Sequence, residues 1–208
     1  MPNGDTVLLK RSGRLATWLA ENVSDRDLPA TLKNNAAAGC FAVVQDHHGA
    51  IVYLIDQNHP SPAFSLARSV YEGYIRGSWL LQCASDPQVE SFIAAKKIQT
   101  GNGRKMEISD LIEALETKPV YDAGDLLAIK DNAWIVLCDY AHVGGRLVSQ
   151  WNTGTAIEAN FSPNHRDEVL RLTGSFAALA AIGMCEIYQD DDLAERVHEQ
   201  FRLFHDIT

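Results

Sequence analysis

Arg68, Glu72 and Arg76 follow one another at four-residue intervals inside the run from Pro62 to Cys83. On a helix that spacing sets them in one stripe. Their types suit an anion: each guanidinium offers a planar fork of donors to a phosphate or carboxylate, and the glutamate between them is a proton acceptor held beside two cations. Further along come Asp139 and His142, three residues apart, and His142 and Glu72 are suited to act as general acid and base while the Arg68 fork holds a phosphate. The candidate catalytic set is therefore Glu72, Asp139 and His142, and Arg68 and Arg76 are the candidate ligand-binding residues, for a small anionic ligand or a nucleotide.

The element that carries the arginines is otherwise apolar. Ala63, Phe64, Ala67, Val70, Tyr71, Tyr74, Ile75, Trp79 and Leu81 cover more than half of a helix circumference, which predicts a central helix packed on most sides. Charges inside such a helix need partners, because an unpaired buried charge is very costly. The remaining pattern predicts helices that can supply them. A covering helix spans Asp5 to Asn22, and a longer one runs from Pro29 to about Gln57 with an inner stripe of Ala36, Cys40, Val43, His47, Ile51 and Leu54. Two prolines in Asn58-His-Pro-Ser-Pro62 end that helix and start the central one.

After the central helix, Ser85-Asp-Pro starts a helix that should reach Thr100, followed by a basic linker Gly101-Asn-Gly-Arg-Lys105 and a short helix from Ser109 to Glu116. Gly124 to His142 has apolar residues on two sides and reads as a further interior helix, closed by Gly144-Gly145. Residues 143–163 are the least helical part and read as a hairpin or irregular lid over the polar site. Asn164 to Gln189 returns to a long helix with Val169, Leu172, Phe176, Leu179, Gly183 and Ile187 inward, and Asp190 to Phe204 closes the chain amphipathically. The fold class is all-α: a single domain over residues 1–208, an up-and-down bundle of seven or eight helices with one insertion.

Composition narrows the partners. The 208 residues hold 18 basic and 27 acidic side chains, a formal charge of −9, so an extended basic surface for nucleic acid is not expected. The start Met-Pro-Asn-Gly-Asp-Thr lacks the basic and apolar regions of a signal peptide, and no apolar run approaches membrane-spanning length. Cys40, Cys83, Cys138 and Cys185 lie in apolar surroundings without Cys-x-x-Cys spacing, which suits free thiols in a reducing cytoplasm. No cofactor is required by the pattern. A metal is the competing chemistry: Asp139-x-x-His142 has the spacing of a bundle carboxylate–histidine pair, and His47, Glu72 and Glu186 would complete an alternative ligand set with Asp139 and His142. Two arginines beside the same carboxylates argue against a dense metal cluster. A purely structural role is the third reading, in which the Arg68–Glu72–Arg76 stripe fixes helix register and the protein is a non-enzymatic interaction partner.

Arg-x-x-x-Glu in a long helix, followed by Asp139-Tyr-Ala-His142-x-Gly-Gly145, resembles an uncharacterised bacterial all-helical family of unknown function. It is more distantly similar to HEPN-type bundles. HEPN ribonucleases carry Arg and His within a single helix, separated by four to six residues, and compose their site by dimerisation. Here no histidine follows Arg68 or Arg76 at that distance. The resemblance implies a helical fold, a homodimer and a ribonuclease, toxin or phage-defence setting.

Overall fold

Helix boundaries follow local hydrogen-bonding chemistry. The computed structural model describes residues 7–100 and 103–206; Asp5, where the first helix was expected to start, and Gly101 and Asn102 of the expected linker lie outside the described residues. Helix α1 spans Val7–Val23. Helix α2, Leu32–Asp56, opens on Thr31, whose hydroxyl accepts the Asn34 backbone N–H at 3.1 Å. That satisfies one of the donors a helix start leaves orphaned. Helix α3, Pro60–Gln82, has proline in its first turn, where the missing N–H has no intrahelical partner to lose. In α4, Asp86–Ile93, the Gln88 side chain accepts the Ser85 N–H at 2.9 Å, and in α5, Ile108–Leu115, Asp110 accepts the Glu107 N–H at 2.7 Å.

Helix α6 is Asp125–Ala141 and the five-residue α7 is Gly145–Ser149. The long α8, Pro163–Tyr188, and α9, Asp191–His205, start on Ser162 and Asp190, which accept from the N–H groups of His165 and Leu193. The protein is all-helical, with nine helices among the described residues: the eight that periodicity predicts, and α7.

At the centre, α3 lies along α2 and also touches α8, α6 and α5, while α1 and α9 cover α8. Close approach is set by Phe41. Its buried ring fits between Gly77 of α3 and Gly183 of α8, where an added Cβ would stand 2.6 and 2.5 Å from ring carbons. Any larger side chain at either glycine would push the helices off the ring.

Several expectations need correction. The buried line of α2 is Ala37, Phe41, Val44, His48, Ile51 and Ile55, not Ala36, Cys40, Val43, His47 and Leu54; Val43 is 46% exposed. Alanine and valine lie on nearly every side of this helix, so periodicity leaves its rotation open, and the largest buried side chain, Phe41, decides it. Helix α4 stops at Ile93, because Ala95 adopts a left-handed backbone and Gln99 pairs with Lys105. Helix α6 is not interior: only Leu126, Leu137 and Tyr140 are buried and Ile135 is 72% exposed. The hairpin expected in 143–163 is α7 followed by a turn closed by one antiparallel bridge, Asn152 with Ile157. Leu147 and Phe161 anchor the segment in the core. Leu179, expected inward, is partly exposed. Finally, α8 is long and apolar enough by composition to cross a membrane, contrary to the expectation for any run, but 61% of its apolar window is buried, beneath α1, α2, α3 and α9.

Candidate functional site

The stripe on α3 assembles as its spacing predicts. Glu72 receives Arg68 Nε on Oε1 at 2.7 Å and Arg76 Nη2 on Oε2 at 3.4 Å. These side chains are neither buried nor fully solvated: Arg68 and Glu72 keep 23% and 22% of their side-chain surface exposed. Helix α6 packs beside them and adds two groups. The Arg68 guanidinium lies over the Trp134 ring, 4.8 Å from its centroid, a cation held against a π face. Eight residues on, where α6 ends, exposed His142 presents Nε2 to Arg68 Nη1 in a short contact. Arginine has only donors, so Nε2 is the acceptor, and the imidazole that makes this contact carries its proton on Nδ1.

Asp139 does not join them. Its carboxylate accepts the backbone N–H of Arg146 at 2.5 Å, tying the end of α6 to the start of α7. Gly144 makes room for it, since a Cβ there would stand 2.0 Å from Asp139 Oδ1. The alternative metal set does not assemble either. His47 lies half-buried on α2, Glu186 is exposed near the C-terminal end of α8, and among the described residues no three His, Cys, Asp or Glu side chains are grouped to hold a metal. The reason lies in rotation and diversion: α2 turns His48, not His47, into the core, and the α7 turn occupies Asp139.

Residues 41–208 match the model of DUF6988, a family of unknown function. The chain belongs to the DUF6988 family. No curated protein and no solved structure matches it. The DUF6988 match starts within α2 and takes in Arg68, Glu72, Arg76, Asp139 and His142 together with all the helices that position them, in keeping with the resemblance to an uncharacterised helical family.

The DUF6988 protein also has a cleft that its helical periodicities leave unseen. It occupies about 470 Å³ between α6 and α8, with Phe64 and Ala67 of α3 as floor and Arg146, Ser149 and Gln150 at its α7 end. The segment expected to cover Arg68 and Glu72 thus lines this cleft instead. Tyr140 faces it, its hydroxyl pKa raised by burial, with Arg146 pulling down and Asp139 and Glu168 pushing up. One signal was legible: His165, Glu168, Val169 and Leu172 recur at helical spacing in the first turns of α8.

Proposed function

We propose that this DUF6988 protein binds a phosphate-bearing ligand of the nucleotide type at the Arg68–Glu72–Arg76–His142 cluster. The observation that supports the reading is the contact between Arg68 and His142, 74 positions apart in the chain. Two arginines share one glutamate there, so the cluster keeps one net positive charge on a chain of net charge −9. Both arginine side chains remain partly exposed, and a phosphate suits their forked donors better than an imidazole nitrogen does. A ligand that takes Arg68 Nη1 also releases His142 Nε2, whose lone pair is then a base next to the bound anion.

That release favours a second, sharper reading, HEPN-like phosphodiester cleavage. HEPN ribonucleases carry their arginine and histidine in one helix, whereas here the pair comes from α3 and α6. In this reading His142 takes the proton of the ribose 2′-hydroxyl as its oxygen bonds to phosphorus, the bond from phosphorus to the 5′-oxygen breaks and that oxygen takes a proton from water, Arg68 stabilises the anionic phosphorus centre, and a homodimer presents two such clusters to RNA.

Thermal unfolding with AMP, ATP and inorganic phosphate tests the binding. At a hundred times Kd, mass action gives about 2.7 kcal/mol, or about 5–10 °C in Tm for a chain of this size. Arg68→Ala and Arg76→Ala should abolish the shift. His142→Ala should keep most of it and, if RNA is cleaved, lose the cleavage. If none of these ligands shifts Tm at millimolar concentration while Arg68→Ala lowers Tm without ligand, the cluster is a structural network and the proposal fails.

A further inference from the structure

The cleft between α6 and α8 has properties that the Arg68 cluster does not share. Its volume of about 470 Å³ lies within the range of small-ligand sites. Its interior is apolar and firm. Phe64 is buried and braced edge-on by Tyr140, ring centroids 4.9 Å apart, and by Phe161 at 5.0 Å. Leu137 and Val169 complete the floor and are buried against the common core.

The rim is polar and uncommitted. Arg146 on α7 and Glu168 on α8 both line the cleft and both are exposed. Neither forms an ion pair with any described residue, although opposite charges in one cleft would pair if their side chains reached. Both nevertheless act on the Tyr140 hydroxyl with opposite sign, Arg146 lowering its pKa and Glu168 raising it, beside the larger rise from burial. His165 adds a buried ring nitrogen, Nδ1, without a hydrogen-bond partner.

A ligand lying on this floor brings its polar end up to both rim charges. A simple anion would satisfy Arg146 but leave Glu168 facing a like charge, and a simple cation would do the reverse. An uncharged apolar molecule would leave both unpaired. The ligand that leaves neither uncompensated carries both charges close together on an apolar body. We propose that this cleft is a second ligand site, for a zwitterion with an apolar body of the class of a free α-amino acid with a large aliphatic or aromatic side chain. Its carboxylate goes to Arg146, its ammonium to Glu168, and its side chain onto Phe64, Leu137 and Val169.

The test is calorimetric titration of the full chain with L-phenylalanine and L-leucine. Glycine, N-acetylphenylalanine and phenylalaninamide serve as probes lacking, in turn, the apolar body, the ammonium and the free carboxylate. Phenylalanine or leucine should bind, and each of the three probes should bind at least about tenfold more weakly, since each leaves one rim charge or the floor without its partner. Arg146→Ala should erase the preference for phenylalanine over its amide, and Glu168→Gln the preference over its N-acetyl form. Both residues are exposed, so both variants should fold with unchanged far-ultraviolet circular dichroism. Arg68→Ala should leave the titration unaltered, which separates this site from the anion cluster. The proposal is overturned if neither amino acid binds at millimolar concentration, if glycine or the N-acetyl form binds as well as phenylalanine, or if the two rim variants leave the preferences intact.

Discussion

His48 is wholly buried where α2 meets α8. Its Nδ1 lies 3.1 Å from Thr173 Oγ1, and the Thr173 hydroxyl already donates to the Val169 carbonyl at 2.9 Å. The threonine oxygen is therefore the acceptor and His48 Nδ1–H the donor, which leaves Nε2 as a bare lone pair without a partner. Protonating it would place a cation in the core. Burial accordingly pushes the His48 pKa down from 6.5 to about 4, against a smaller opposing contribution from the Ser12 backbone on α1.

The sign follows from linkage. Between pH 6.5 and 4 the unfolded chain binds a proton at this histidine that the native protein refuses, so stability is complete above pH 6.5 and falls as pH drops towards 4. The full fall is worth about 3 kcal/mol, a large part of the 5–15 kcal/mol typical of a whole domain. Urea unfolding at pH 7, 6, 5 and 4 should show it as the difference between the native sequence and His48→Gln, because carboxylates titrating in the same range are common to both. The variant's offset at pH 7 is not the readout; the convergence of the two curves on acidification is. A difference that stays constant from pH 7 to 4 refutes the reasoning, as does an imidazole proton resonance of His48 that titrates near 6.5 in the folded native protein, a measurement that holds even if the variant does not fold.

Two further outcomes follow from close contacts. Gly144→Ala should push the Asp139 carboxylate off the Arg146 N–H and lower stability by about 1 kcal/mol, the value of a lost cap. Asp139→Ala should have a similar effect, and the double variant should lose little more than either, which urea midpoints in a double-mutant cycle will show. Gly183→Ala should overpack Phe41 and destabilise by about 1–3 kcal/mol, part of which should return in the Phe41→Leu, Gly183→Ala double variant.

What the sequence determined by itself is what depends on near neighbours along the chain. The starts at Pro60 and Ser85 are written in proline placement and side-chain caps, so those helices are legible from a few adjacent residues. The sharing of Glu72 between Arg68 and Arg76 is legible for the same reason, since i, i+4 neighbours meet on any helix. Rotation and diversion were decided by the tertiary structure. Helix α2 is apolar on several faces, and only the fit of Phe41 between Gly77 and Gly183 turns His48 inward and His47 aside. Asp139 and His142 both stand at the end of α6, yet the start of α7 claims the carboxylate for the Arg146 N–H while the imidazole goes to Arg68. The cleft that gathers Phe64, Tyr140, Arg146 and Glu168 draws on four helices. No period along the chain joins the residues of one helix to those of another, because the distance between α6 and α8 is set by the summed packing of side chains far apart in sequence.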